Sequence, residues 1–270
     1  MLFADIHLAR RLELTNTLEC VEYARAHARL FPDSGSLSIP LMGGFATYAG
    51  ADSPITQAFG LGLQGVVSES EVDELEDFYF SRRVAVNIEL CPLADVTLIE
   101  ILMRRGYRII ETSNVLYQEL NTFRSAQSAQ ATVRIPGPDE EEKWAKTIAR
   151  GFVEDEEPHP IMIELGRTIF QSENSVPFLV EVEGQPAGGG GVSISNGVAD
   201  FYGQATIPAF RRRGVQSALI QASLSYAKEQ GCEIAMGTTM CGTTSQHNFE
   251  RNGFRICYSR IKLMREWPGE

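Results

Sequence analysis

Pro208-Ala-Phe-Arg-Arg-Arg-Gly-Val-Gln-Ser-Ala-Leu219 is the stretch that decides how this chain is read. The apolar-alternating run Val198 to Ile207 leads into it as a strand. From Val215 the apolar residues fall at Val215, Ala218, Leu219, Ala222 and Tyr226, the spacing of a helix, and Gly231 is its natural stop. Arg211 to Gln216 therefore stand where a strand turns into a helix start. The orphan N–H groups and the positive end of the helix dipole face outward there. Gly214 lets an anion approach the backbone, and Arg211, Arg212 and Arg213 add forked donors. That combination is a cradle for a diphosphate.

The turn is neither a Walker loop, because no Gly-Lys-Ser/Thr follows, nor a dinucleotide Gly-x-Gly-x-x-Gly. The pattern Arg211-x-x-Gly214-x-Gln216 resembles the Arg/Gln-x-x-Gly-x-Gly/Ala signature of the GNAT superfamily of N-acetyltransferases, with Gln216 in place of the last small residue. Glu181-Val-Glu-Gly-Gln-Pro-Ala-Gly188 is similar to that family's second-to-third strand hairpin, and Asn252-Gly253-Phe254 to its late helix-to-strand turn. The resemblance implies an α/β (α+β) fold, a mixed, mostly antiparallel sheet flanked by helices. It covers roughly residues 131 to 265.

Composition sets the outer limits. A hydrophobic content of 43% and a charged content of 22% are those of an ordinary globular protein, and 270 residues leave room for two domains. No apolar run reaches membrane-spanning length, and Met1-Leu-Phe-Ala-Asp-Ile-His has no basic start before an apolar core, so a cytoplasmic protein is expected. Five cysteines without a Cys-x-x-Cys pair read as buried, reduced thiols, and four scattered histidines give no metal site. A net charge of −11 argues against nucleic acid and makes the arginine cluster an exception that asks for an anionic partner.

The first third reads as a helix over Ala9–Leu30, strands around Leu37–Leu41, Gly43–Tyr48 and Ile55–Leu63, and a helix over Ser70–Phe80. A strand over Val84–Leu90, a helix over Asp95–Arg105 and an extended return over Tyr107–Leu120 follow. Its order (glycine turn, helix, strand, helix, Arg-Gly-Tyr, strand) recurs after Gly214, and Arg104-Arg-Gly106-Tyr-Arg-Ile answers Arg251-Asn-Gly253-Phe-Arg-Ile. The recurrence reads as an internal duplication, with coincidence of a common helix-Gly-aromatic-strand order as its alternative; residues 1–124 are then expected to be a degenerate GNAT-like unit and 131–270 the acetyl-CoA-binding unit, joined by the polar linker Asn121–Gln130. The first unit's turn, Leu63-Gln-Gly65-Val-Val-Ser-Glu-Ser-Glu, has no arginine and opens on carboxylates that repel phosphate. In the second unit a helix opens at Pro138 and turns Trp144, Ile148 and Phe152 inward.

The resemblance implies transfer of acetyl from acetyl-CoA to a primary amine of a small molecule or peptide. The backbone of Ala205, Thr206 and Ile207 pairs with pantetheine and the carbonyl. Arg211, Arg212, Arg213, Gly214, Val215, Gln216 and Ser217 hold the phosphates, with Ser245 and Asn248 hydrogen-bonding the cofactor. On the preceding strand Asp200, Tyr202, Gln204 and Thr206 share one face, opposite Ala199, Phe201, Ala205 and Ile207, and a one-residue bulge would reverse the order. Asp200 and Tyr202 are the candidate catalytic pair. Phe249 stands where many relatives carry a proton-donating tyrosine. Cys241 reads as a packed thiol and His247 as an exposed helical residue. The run Gly188–Gly191 marks either a bulge or a close passage for a ligand. Glu154-Asp-Glu-Glu157 lies where an acceptor wall is expected, which suits a cationic, polyamine-like or amino-acid acceptor. A homodimer is compatible with this reading, and a catalytically silent acyl-CoA-binding module is its alternative.

Overall fold

The computed structural model describes residues 2–124, 131–154 and 157–269; linker residues 125–130, and Asp155 and Glu156 of the acidic run, lie outside them. In chain order the first elements are α1 (Ile6–Leu30), β1 (Leu37–Leu41), β2 (Gly44–Tyr48), β3 (Gln57–Phe59), α2 (Glu69–Phe80), β4 (Val86–Leu90), α3 (Val96–Arg104) and β5 (Arg108–Glu119). There follow β6 (Thr132–Arg134), α4 (Glu141–Gly151), α5 (Pro160–Phe170), β7 (Ser175–Val182), β8 (Gln185–Ser195) and β9 (Val198–Thr206). The last are α6 (Val215–Glu229), β10 (Ile234–Met240), α7 (Thr244–Arg251) and β11 (Arg255–Arg265).

Two compact units result, Met1–Val115 with Ile256–Glu270, and Leu116–Arg255. In the first, β1, β2 and β3 form an antiparallel meander, and β4 joins β3 in parallel. In the second, β6 to β9 run antiparallel and β10 joins β9 in parallel. In chain order the two halves thus repeat one plan: a meander, a crossover helix, a parallel strand, a further helix and a last strand. Each sheet is mixed, mostly antiparallel and flanked by helices, as the sequence leads one to expect.

The unit boundary differs from the expected 1–124 and 131–270. The last strand, β11, is part of the first unit, because Ile261–Arg265 pair antiparallel with Leu90–Val86 of β4. The end of β5 lies in the second unit, where Leu120 N–H donates to the Glu233 carbonyl. Strand pairing is non-local, and no local pattern in β11 says which sheet it completes.

Three further expectations change. Helix α5 carries no assignment in the sequence reading. Phe152, expected inward, is the C-cap of α4 and 52% exposed, because the helix has ended at Gly151. Cys241 is exposed; Cys20, Cys91 and Cys232 are buried as expected.

In the first unit, α2 and α3 set Val72, Leu75, Phe78, Leu98 and Leu102 against Ala46, Ala58, Val86 and Ile88. Helix α1 lies on β1 and β2, and β11 turns Arg260 toward it while Leu263 joins the apolar core. Arg260 Nε donates to Glu13 Oε1 at 2.8 Å and Nη1 to Asn16 Oδ1 at 3.0 Å; Tyr258 donates to the same Glu13 oxygen at 2.7 Å. Burial opposes the Arg260 charge, but Glu13, Tyr258 and Glu89 outweigh it and hold its pKa up. Truncating one member strands the other charge in the interior. Arg260→Ala should therefore cost about 3 kcal/mol, read as a lower midpoint in urea unfolding. At the surface, Cys241→Ser should abolish the one fast thiol reaction with Ellman's reagent at pH 8. Burial keeps Cys91 and Cys257 protonated, their pKa values pushed up to about 12 and about 11.

Candidate functional site

The parallel ladder between β9 and β10 runs from Val198↔Ile234 to Phe201↔Gly237 and stops, although β9 continues to Thr206 and β10 to Met240. The cause lies in β9. Opposite β8, Gly191 pairs with Tyr202 and Gly189 with Ala205, so Gly203 and Gln204 together face Gly190. Gly203 has φ 58, the left-handed conformation of a bulge residue. The extra residue bends β9 away from β10 and opens a gap between them.

The bulge also reverses the faces. Before it, Ala199 and Phe201 pack with α6 residues Val215 and Leu219. After it, Ala205 faces α4: a Cβ on Gly151 would stand 2.5 Å from the Ala205 Cβ. The regular alternation therefore holds only as far as Tyr202, and Ala205 joins the Tyr202 face. The glycine row is explained by the protein itself. A Cβ on Gly191 would lie 2.7 Å from the Tyr202 ring, one on Gly190 2.9 Å from Gln204 Cγ, and one on Gly189 3.1 Å from Ile148. Tyr202 lies flat over Gly191 and its hydroxyl donates to Ser175 Oγ. Asp200, 2% exposed, sits within the closed part of the ladder, opposite Ser193 and Met236. At the opening itself, both amide atoms of Gln204 and the Thr239 hydroxyl are buried without a protein partner.

Helix α6 starts beside this gap. Its N-cap, Gly214, is left-handed at φ 75, supplies no side-chain cap, and has open space where a Cβ would be. The first intrahelical bond runs from Ala218 N–H to the Gly214 carbonyl, leaving the N–H groups of Val215, Gln216 and Ser217 without one. Arg211 places Nη1 2.7 and 2.8 Å from the two Glu154 oxygens, and Arg213 reaches Glu183 at 2.6 Å while lying over Phe210. Arg212 has φ 62 and, among the described residues, makes no ion pair. Both pairs are exposed, and such pairs contribute at most about 1 kcal/mol, so a phosphate displaces them readily. The donor set suits a diphosphate.

The remaining expected ligand contacts are turned on one another. Gln216 Nε2 donates to Ser245 Oγ at 3.1 Å, and Asn248 donates to Gln216 Oε1. Ser217 and Gln221 both donate to Asn252 Oδ1, at 3.0 and 2.9 Å. These bonds tie α6 to α7, so the larger Gln216 fills the signature's small-residue position with a helix-to-helix link. Phe249 is core, edge-on to Phe254. The first unit presents the opposite chemistry. Ser68 and Glu71 close a capping box on α2, and Glu69 in its first turn is held by Arg104 and Arg105. The loop after β3 is shut as well: Asp95 N–H donates to the Gly62 carbonyl at 2.8 Å and Arg10 Nε to the Leu63 carbonyl at 2.8 Å.

The sequence reading missed the Glu154–Arg211 pair, the unpartnered Gln204 amide and helix α5. Only α5 had a legible signal, Pro160 ahead of Ile161, Leu165 and Ile169.

The β9–β10 ladder thus ends at a bulge beside an uncapped, arginine-flanked helix start. Residues 141–254 match the model of the Acetyltransferase (GNAT) family. Among solved structures it is similar to a GCN5-related N-acetyltransferase from Kribbella flavida (TM-score 0.62, 19% identity, covering 92% of this chain and 96% of that one). It is also similar to a GCN5-related N-acetyltransferase from Sphaerobacter thermophilus (TM-score 0.59, 16% identity, 79% and 73% covered). A tandem GNAT protein from the clavulanic acid biosynthesis pathway is similar too (TM-score 0.58, 12% identity, 79% and 75% covered). These likenesses concern the fold. No curated protein sequence matches the chain. Among the described residues no helix is long and apolar enough to cross a membrane, and no cluster of metal-ligating side chains is present.

A buried amide with both ends unmet destabilises the fold that holds it. Gln204→Leu, close in volume, should raise the unfolding free energy of the ligand-free protein by about 1 kcal/mol, seen as a higher Tm.

Proposed function

We propose that the second unit transfers an acetyl group from acetyl-CoA to the primary amine of a small molecule, and that the first unit binds no cofactor. The observation that carries this reading is the β9–β10 ladder ending at the Gly203–Gln204 bulge beside the open start of α6. Acetyl-CoA supplies a thioester carbonyl and a diphosphate handle. Arg212, Arg213 and the N–H groups of Val215 to Ser217 hold the diphosphate, with Arg211 released from Glu154. The backbone of Ala205, Thr206 and Ile207, past the bulge, orients the pantetheine arm and polarises the carbonyl.

In the transfer a nitrogen–carbon bond forms, the carbon–sulfur bond breaks, the amine loses a proton and the thiolate gains one. Proton removal is assigned to Tyr202, whose backbone stands at the opening while its hydroxyl rests on Ser175 across Gly191, with Asp200 two residues back in the closed ladder. Ser245 and Asn248 act through Gln216, fixing the start of α6 against α7. Reading the first unit as silent rests on its capped, acidic α2 start and its closed loop.

Release of free thiol from acetyl-CoA across a panel of amines tests the transfer, with Cys241→Ser as background. Arg212→Ala combined with Arg213→Ala should raise KM for acetyl-CoA roughly tenfold or more, as expected for losing two charge-assisted contacts. An unchanged KM would count against the cradle, and tight CoA binding without turnover of any amine would favour a silent binding module.

A further inference from the structure

The wall of the gap on the Tyr202 face is apolar and open. Helices α4 and α5 cover that face: Gly151, at the end of α4, packs against Ala205, and Ile169 of α5 reaches Gly203 at the bulge. Beyond these contacts the cover is incomplete. Phe152 follows Gly151 and is 52% exposed; Met240, which shares a face of β10 with Met236, is 49% exposed. The first two turns of α5 add Ile161, Met162 and Leu165, all only half-buried, although Gly166, Thr168 and Ile169 further along are buried. The stripe through Ile161, Met162, Leu165 and Ile169 is one helix face, and its N-terminal half continues the core stripe past the edge of the core.

Of the described carboxylates in the run after α4, Glu154 is held through both oxygens by Arg211 in the ligand-free protein and Glu157 is exposed. Arg167 of α5 pairs with Glu141 of α4 at 2.8 Å. The large side chains left exposed or half-buried here are Phe152, Met240, Ile161, Met162 and Leu165, with the smaller Thr238 between Met236 and Met240 on the same face of β10. Large apolar groups left this exposed, continuous with a reaction cleft, mark a surface that a ligand covers.

Resting on the transfer reading above, we infer that the acceptor is a primary amine with an apolar, aromatic or long alkyl body. Its amino group enters the gap at Tyr202 and its body lies across Phe152, Met240 and the first turns of α5. Each further ammonium of a polyamine laid along Phe152, Met240 and the start of α5 would lose water against hydrocarbon.

The experiment compares 2-phenylethylamine and hexylamine with 1,4-diaminobutane and lysine in the thiol-release assay on the full chain. The apolar amines should show kcat/KM at least tenfold above the polar ones. Phe152→Ser and Met240→Ser should each raise KM for 2-phenylethylamine roughly five- to twentyfold, the cost of halving the apolar area it covers, with KM for acetyl-CoA unchanged. Both residues are about half exposed, so neither substitution threatens the fold. Preference for the diamine, or an unaltered KM in both variants, overturns the inference and leaves the transfer reading standing. Should no amine release thiol, the transfer reading fails, and calorimetry with 2-phenylethylamine in the presence of CoA decides this point alone. Binding that weakens in Phe152→Ser upholds the apolar wall, and no binding rejects it.

Discussion

One extra residue in β9 governs the second unit. Up to Phe201 the strand is bound to β10 on one side and β8 on the other; past Gly203 it holds only β8. A strand that gives up one ladder leaves N–H and C=O groups unpaired, and a folded chain rarely keeps such groups unmet. The bulge is stable because the backbone there is glycine and because Tyr202 and Gln204 lie over Gly191 and Gly190, where any side chain would collide. Four glycines in a strand lose entropy on folding and pack poorly. Their presence makes sense only as the counterpart of the bulge, which in turn has a use only if something else completes the open edge.

The two units show one plan with two electrostatic outcomes. Both cross from the last strand of a meander, through a helix, into a parallel neighbour. In the second unit that helix begins at a bare glycine with arginines before it; in the first it begins with a serine cap and glutamates. A cap satisfies the orphan N–H groups internally, and acids neutralise the dipole. The first helix start is therefore complete in itself and the second is not. The same contrast appears in the loops that precede them: Gly62 is bonded to Asp95 in the first unit, and the second unit's ladder stays parted.

The sequence made legible what local chemistry controls. The arginine turn, the helix after Gly214, the meander and the repeated order all follow from spacing and capping. The side-chain faces of β9 did not, because period-two alternation fails at a bulge and the bulge depends on the opposite strand. The sheet that β11 completes was hidden for a similar reason: its partner, β4, lies far away in sequence. Phe152 was misplaced because its helical spacing with Trp144 and Ile148 continues one residue beyond the helix. Ser245 and Asn248 were found as a pair on one face, and only the packing of α7 on α6 shows that Gln216 takes up both.

The arginine cluster shows how a chain of net charge −11 keeps a positive site. Among the described residues, Arg211 and Arg213 are each held by one glutamate at the surface, and Arg212 by none. These pairs orient the guanidinium groups around the helix start without neutralising it deeply, since exposed ion pairs are screened and weak. A diphosphate offers each arginine a bidentate partner and in addition meets the free N–H groups of α6, which a glutamate reaching from outside does not. The glutamates are therefore outcompeted on geometry as well as charge. Glu154 belongs to the connection between α4 and α5. In the proposed reading, its release on anion binding would link the cofactor site to the acceptor wall through a single side chain.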